Sequence, residues 1–79
     1  MRILIADDHA VVRRGLKQIL AAEFKQAHFG EAANASEALD RLRKENWDAV
    51  VLDITMPGRS GLEALKEIRE EKPKLPVLV

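Results

Sequence analysis

The stretch Ile3–Ala6 (ILIA), followed at once by Asp7 and Asp8, decides how this sequence folds. An unbroken apolar run of this length is typical of a strand that is buried on both faces of a parallel sheet. Ala49–Leu52 (AVVL) repeats the pattern and is likewise followed by an acid, Asp53. Because the carboxyl ends of parallel strands meet at one edge of a sheet, these acids are predicted to lie close together.

Helical periodicity separates the predicted strands. A first helix is predicted from Ala10 to about Ala22, and a second begins after Asn34, which has capping-box spacing to Glu37. A weaker strand candidate, 27–32, lies between them. The residues predicted to face the core from these helices are Val12, Leu16, Ile19, Leu20, Ala35, Ala38, Leu39 and Leu42.

Beyond Asp53, residues 55–59 are predicted to form a loop because they contain Pro and Gly. Ser60 and Glu63 form a capping box that opens a third helix, and residues 77–79 begin a fourth strand. The order is therefore βαβαβαβ, with connections that favour parallel strands joined by right-handed helical crossovers. The third helix is predicted to direct inward Leu62, Leu65 and Ile68.

Length and charge exclude several classes of protein. The chain has 79 residues, with 13 basic against 13 acidic side chains and no cysteine. That length allows one small domain, and zero net charge removes the electrostatic basis for non-specific binding to nucleic acid or anionic membranes. Without cysteine there is no disulfide scaffold, thiolate metal site or thiol nucleophile. No segment resembles a signal peptide or a membrane span, so we expect a cytoplasmic protein.

Asp7, Asp8 and Asp53 are the candidate functional residues. Three carboxylates at close range repel one another and need a cation or shifted pKa values to coexist. Mg²⁺ fits best, since it binds carboxylates, waters and phosphate oxygens, whereas zinc would prefer nitrogen or sulfur ligands. The simpler interpretation is that each aspartate only caps a helix or a turn. It is a good explanation for a single aspartate but a poorer one for three aspartates at strand ends.

Residues 3–9 (ILIADDH) together with 50–58 (VVLDITMPG) resemble the receiver domain of bacterial two-component response regulators. Residues 6–16 (ADDHAVVRRGL) are similar, more narrowly, to the NarL/FixJ or LuxR-type branch, in which a receiver precedes a helix-turn-helix DNA-binding domain. The resemblance covers essentially the whole chain and implies a flavodoxin-like (CheY-like) open parallel sheet.

The resemblance also implies roles for individual residues. Asp53 matches the phosphoacceptor, which takes a phosphoryl group from a sensor histidine kinase. Asp8 matches a direct Mg²⁺ ligand, Asp7 an acid that acts on the ion through water, and Thr55 a ligand through its main-chain carbonyl. The chain would then be a phosphoacceptor with at most self-phosphorylation and autodephosphorylation activity, and DNA would be bound only through an output domain.

Receivers have five strands, so the resemblance makes residues 1–79 a partial domain that lacks the last strand and two helices. We expect either further residues after Val79 or a homodimer that covers the exposed edge of the sheet. The alternative is a truncated or swapped fragment that acts only in protein association. A haloacid-dehalogenase phosphatase is disfavoured, because its pattern needs an acid where this chain has Thr55.

Three further features have simpler interpretations. His9 is expected to lie in solvent or to pair with a carboxylate, since no second histidine has metal-ligand spacing. Arg13, Arg14 and Lys17 are expected to form a solvated helix face. Trp47 is expected to plug the edge of the sheet away from the acids.

Overall fold

The computed structural model describes residues 1–53 and 61–79. Strands and helices alternate as the sequence predicts, so the βαβαβαβ order is confirmed. The elements are β1 (Arg2–Ala6), α1 (Ala10–Glu23), β2 (His28–Ala32), α2 (Ala35–Lys44), β3 (Ala49–Leu52), α3 (Gly61–Glu71) and β4 (Val77–Leu78).

The strands form one parallel sheet in the order β2-β1-β3-β4. In the middle of the sheet, Ile5 lies in register with Glu31 on one side and Val51 on the other. The chain crosses from β1 outward to β2 and then back past β1 to β3. The strand order therefore reverses between β1 and β3, and a crevice for ligands is expected beyond their carboxyl ends.

The main core lies between the sheet and helices α2 and α3. All four predicted core residues of α2 are buried. The helix starts as predicted, because the Glu37 main-chain N–H donates a hydrogen bond of 2.8 Å to Asn34 Oδ1. The buried side chains that fill this layer include Leu4, Leu39, Leu42, Val50, Leu52, Ala64 and Ile68.

One inward residue of α3 is predicted wrongly. Leu62 is 58% exposed, whereas Gly61, Ala64 and Ile68 are buried. The helix turns its small and β-branched residues toward the core, and this rotation leaves Leu62 on the solvent side. The Ser60 position of the predicted capping box lies outside the described residues.

The opposite face of the sheet is only partly covered. None of the 14 residues of α1, all of which are described, is fully buried: Leu16 and Leu20 are half-buried against the sheet, but the predicted burial is wrong for Val12 and Ile19. Val12 and Ile19 are 47% and 65% exposed. The helix contacts β1, while beside β3 and β4 an apolar groove of about 270 Å³ stays open. The pattern on α1 is amphipathic, but nothing in the described chain covers that side.

Trp47 packs at the amino-terminal edge of the sheet, as predicted. Its Nε1–H donates to the Arg41 carbonyl oxygen at 3.1 Å, and its ring lies 4.7 Å from the Arg2 guanidinium and 5.1 Å from that of Arg41. The ring end reaches Gly30 on β2, where an added Cβ would lie 2.3 Å from Trp47 Cη2. Gly30 is therefore required for the close approach of Trp47 to the sheet.

Candidate functional site

Main-chain hydrogen bonds place two acids at the carboxyl edge of the sheet. The Asp7 N–H donates to the Ala32 carbonyl at 3.0 Å, and the Asp53 N–H donates to the Ala6 carbonyl at 2.9 Å. Both bonds extend the pairing of the strands by one residue beyond their ends. The positions of the two acids are therefore set by the sheet and not by a loop.

The predicted acid cluster is assembled in the structure. Asp7, Asp8, His9 and Asp53 each offer one ligand atom, and these atoms all lie within 4.8 Å of one another. The Asp7 side chain is 9% exposed and that of Asp8 is 24% exposed. Thr55, whose carbonyl is expected to join them, lies outside the described residues.

His9 pairs with both neighbouring carboxylates, as the simpler interpretation of this residue predicts. Its Nδ1 lies 2.9 Å from Asp8 Oδ1 and 3.2 Å from Asp7 Oδ1, and its main-chain N–H donates to Asp7 Oδ1 at 2.8 Å. The hydrogen bond with Asp7 and the charge of Asp8 raise the pKa of His9 above 6.5. The imidazole therefore holds its proton to higher pH than a free histidine does, and its protonated form adds positive charge beside the cluster.

Arg13 is a site residue that the sequence interpretation misses. Its Nη1 donates to the Asp7 carbonyl oxygen at 2.6 Å and its Nε to Glu31 Oε1 at 3.0 Å, and the side chain is only 17% exposed. The prediction of a solvated helix face is therefore wrong for Arg13. An available signal was its place in the first turn of α1, directly after the acid pair.

The donor set fits a hard divalent cation. Asp8 Oδ1 is shielded from solvent and accepts no hydrogen bond within the described residues, although the His9 imidazole lies 2.9 Å away. The His9 imidazole, when protonated, offsets part of the cost of burying this oxygen, and a divalent cation bound by the acids would offset it further. Carboxylates at this spacing, with room for waters or a phosphate, are ligands that Mg²⁺ accepts.

The cluster opens into a cavity of about 460 Å³ between α1 and the end of β3. Asp7, His9 and Asp53 form its polar end, while Val12 and Leu16 of α1 form part of its apolar wall. A cavity of this size admits a small phosphorylated group to the acids.

Comparison with known proteins identifies the arrangement. Residues 3–79 match the response regulator receiver domain family. The chain belongs to that family. This receiver is 40% identical, over 80 residues, to the oxygen regulatory protein NreC of Staphylococcus epidermidis, a match that covers 100% of the chain and 37% of NreC. NarL/FixJ-type regulators are thus among its relatives, which confirms the narrower resemblance.

Solved structures confirm the flavodoxin-like fold of this receiver. The response regulator TrrA of Thermotoga maritima, solved in complex with Mg²⁺-BeF, has a TM-score of 0.87 and 41% identity, and the match covers 96% of this chain and 64% of TrrA. TrrA solved with the histidine kinase ThkA has a TM-score of 0.84, at the same identity and coverage. No helix in residues 1–53 or 61–79 is long and apolar enough to cross a bilayer.

Proposed function

We propose that this receiver accepts a phosphoryl group on Asp53 from a sensor histidine kinase. The observation that supports the proposal is the gathering of Asp7, Asp8 and Asp53 within 4.8 Å beside an open cavity. Membership of the family and the complex of TrrA with a histidine kinase support the choice of donor.

In the proposed reaction, a carboxylate oxygen of Asp53 attacks the phosphorus of a phosphohistidine. The P–N bond breaks, the imidazole leaves and takes up a proton, and an acyl phosphate forms on Asp53. Asp8 and Asp53 would hold Mg²⁺ directly, Asp7 would hold it through water, and the Thr55 carbonyl would complete the set. When bound, the ion offsets the repulsion between the carboxylate and the anionic phosphoryl group.

Asp7 and Asp8 take no part in proton transfer in this scheme. Their part is to supply negative charge that binds the ion and to orient it toward Asp53. Phosphoryl transfer depends mainly on such positioning and charge stabilisation, so a small rigid edge of a sheet suffices.

The phosphoacceptor assignment is tested by intact mass after incubation with acetyl phosphate and Mg²⁺. We expect the chain to gain the mass of one phosphoryl group, and we expect Asp53→Asn or EDTA to abolish the gain. Asp40→Asn is the matched control, because Asp40 is an exposed acid of α2 that pairs with Lys44. Undiminished phosphorylation of Asp53→Asn would refute the assignment.

The relatives also support proposals about the whole protein to which this chain belongs. The proposal includes a longer parent protein, with residues 1–79 as its partial receiver and a C-terminal helix-turn-helix domain that binds DNA. It also places the protein in the cytoplasm. Mass spectrometry of the protein from its native source tests whether the chain continues.

A homodimer is the second candidate, and the open side of the sheet favours it. The edge strand β4 pairs, within the described chain, with β3 alone, and Leu78 and Val79 are 65% and 63% exposed. Exposed strand edges and apolar grooves favour association with a second copy. Light scattering coupled to gel filtration is expected to give twice the monomer mass. A monomer at all concentrations would exclude this candidate.

A further inference from the structure

Three hydrogen bonds hold Asp7 in place, and one of them is made to the carbonyl oxygen of the Asp7–Asp8 peptide. The Asp7 N–H bonds to Ala32, and Asp7 Oδ1 accepts a hydrogen bond from the His9 N–H. The third bond runs from Arg13 Nη1 to the Asp7 carbonyl oxygen, at 2.6 Å. Of the three bonds, this is the one that a side chain donates, and that side chain belongs to α1.

Arg13 is itself fixed to the sheet. Its Nε donates to Glu31 Oε1 at 3.0 Å, and Glu31 lies on β2 in register with Ile5 of β1. The planar guanidinium can serve both acceptors at once because its donors are held in a rigid fork. The Glu31 charge also offsets that of Arg13, which limits the repulsion that Arg13 exerts on a cation at the acids.

We propose that Arg13 is a positioning residue for the acid pair, holding the Asp7–Asp8 peptide in the orientation that a divalent cation requires. The inference rests on the proposed function of the site. Rotation of this peptide would swing the Asp8 carboxylate relative to Asp53, so the Arg13 bond sets the separation of the two carboxylates. Residues that orient metal ligands in this way are commonly worth about tenfold or more in metal affinity.

Two effects of removing Arg13 have opposite signs. Loss of a positive charge near three carboxylates would tighten the binding of a cation, whereas loss of the held peptide would weaken it. The compensating charge of Glu31 makes the first effect small. The sign of the change in Mg²⁺ affinity therefore separates a positioning residue from a charge that only happens to be near.

The test is calorimetric titration of the metal-free chain with Mg²⁺. We expect Arg13→Gln to raise the dissociation constant about tenfold or more, and Arg13→Lys to fall between it and the wild type, because one ammonium cannot serve both acceptors. Lys17→Gln is the matched control. Lys17 lies 3.9 Å from Glu31 on the same helix, so this change removes an equal charge without touching Asp7. Its dissociation constant is expected to stay within about twofold of the wild type or to fall.

A second measurement follows phosphoryl uptake from acetyl phosphate as a function of Mg²⁺. The defect of Arg13→Gln should lie in the Mg²⁺ concentration that gives half-maximal rate and not in the rate at saturating Mg²⁺. Unchanged or tighter Mg²⁺ binding by Arg13→Gln, equal weakening by Lys17→Gln, or a defect confined to the saturated rate would each overturn the inference. Circular dichroism checks folding, and Arg13→Lys decides if Arg13→Gln does not fold.

The experiments distinguish failure of the proposed phosphoacceptor function from failure of the positioning role of Arg13. A wild-type chain that binds Mg²⁺ but takes no phosphoryl group refutes the phosphoacceptor role and leaves the Arg13 comparison intact. A phosphorylated wild type with unaltered affinity in Arg13→Gln refutes only the positioning role. A wild type that binds no Mg²⁺ overturns both.

Discussion

Replacement of Gly30 by alanine tests whether the Trp47 contact is as tight as the structure indicates. An added Cβ would lie 2.3 Å from Trp47 Cη2 and 2.9 Å from Arg41 Nη1. To reach an ordinary contact of 3.4 Å, the indole must retreat by about 1 Å. The ring has little freedom to do so, because its Nε1–H is bonded to the Arg41 carbonyl and Arg2 and Arg41 lie against it.

The magnitude follows from three contributions. Overpacking of this kind costs about 1–3 kcal/mol, and loss of the indole hydrogen bond costs about 1 kcal/mol more. Alanine recovers about 0.5–1 kcal/mol relative to glycine, because it has less conformational entropy to lose on folding. We therefore expect Gly30→Ala to lower the free energy of unfolding by about 2 kcal/mol, which for a domain of this size lowers Tm by about 8–16 °C.

The assay is urea unfolding followed by the fluorescence of Trp47, the single tryptophan of the chain, and by circular dichroism. Gly15→Ala makes the same chemical change on α1, where an added Cβ meets no atom within 4 Å. That control should stabilise the chain by about 1 kcal/mol through helix propensity. If Gly30→Ala were as stable as the wild type, or left the Trp47 emission unmoved, the packing argument would be refuted.

Two other perturbations have defined outcomes. Asn34→Ala removes the 2.8 Å bond from the Glu37 N–H and should cost about 1 kcal/mol in urea unfolding; Asn34→Ser should retain most of it, and an equal loss in both would contradict a capping role. Because the pKa of His9 is raised above 6.5, its protonated form stabilises the fold fully below about pH 6.5, and this is lost as pH rises through the raised pKa. An NMR titration of His9 should show a midpoint that falls toward 6.5 in Asp7→Asn; an unshifted midpoint would rule out Asp7 as the cause.

Much of the fold was predictable because strands β1 and β3 carry unbroken apolar runs that end in acids. The same two runs predicted that Asp7, Asp8 and Asp53 would meet, since parallel strands bring their carboxyl ends to one edge. The burial of α2 was predictable as well, because a regular apolar stripe and an Asn34 cap agree on the same helix.

The features that the sequence did not predict depend on which residues pack against each other in the fold. The spacing of apolar residues along the chain carries no information about those tertiary neighbours. The apolar stripe of α1 predicts a buried face, yet burial needs a second surface, and the described chain supplies none beside Ile19. Arginine is a residue type that usually faces solvent. Arg13 has two partners because the fold brings Glu31 and the Asp7 carbonyl close to it. Leu62 shows that the phase of a short helix can be misjudged by one position.

The sparse packing of α1 has a consequence for the dynamics of the site. A helix with no fully buried side chain opens locally at a lower free energy than α2 or α3, so its amide hydrogens should exchange with solvent sooner. Each opening also releases the Arg13 bond to the Asp7 carbonyl. An ion bound by the acids would oppose that release. Ion binding should therefore slow amide hydrogen exchange along α1 and leave the exchange rates of the already protected strands unchanged. Hydrogen exchange several turns along α1 would then show whether the acids at the edge of the sheet hold an ion.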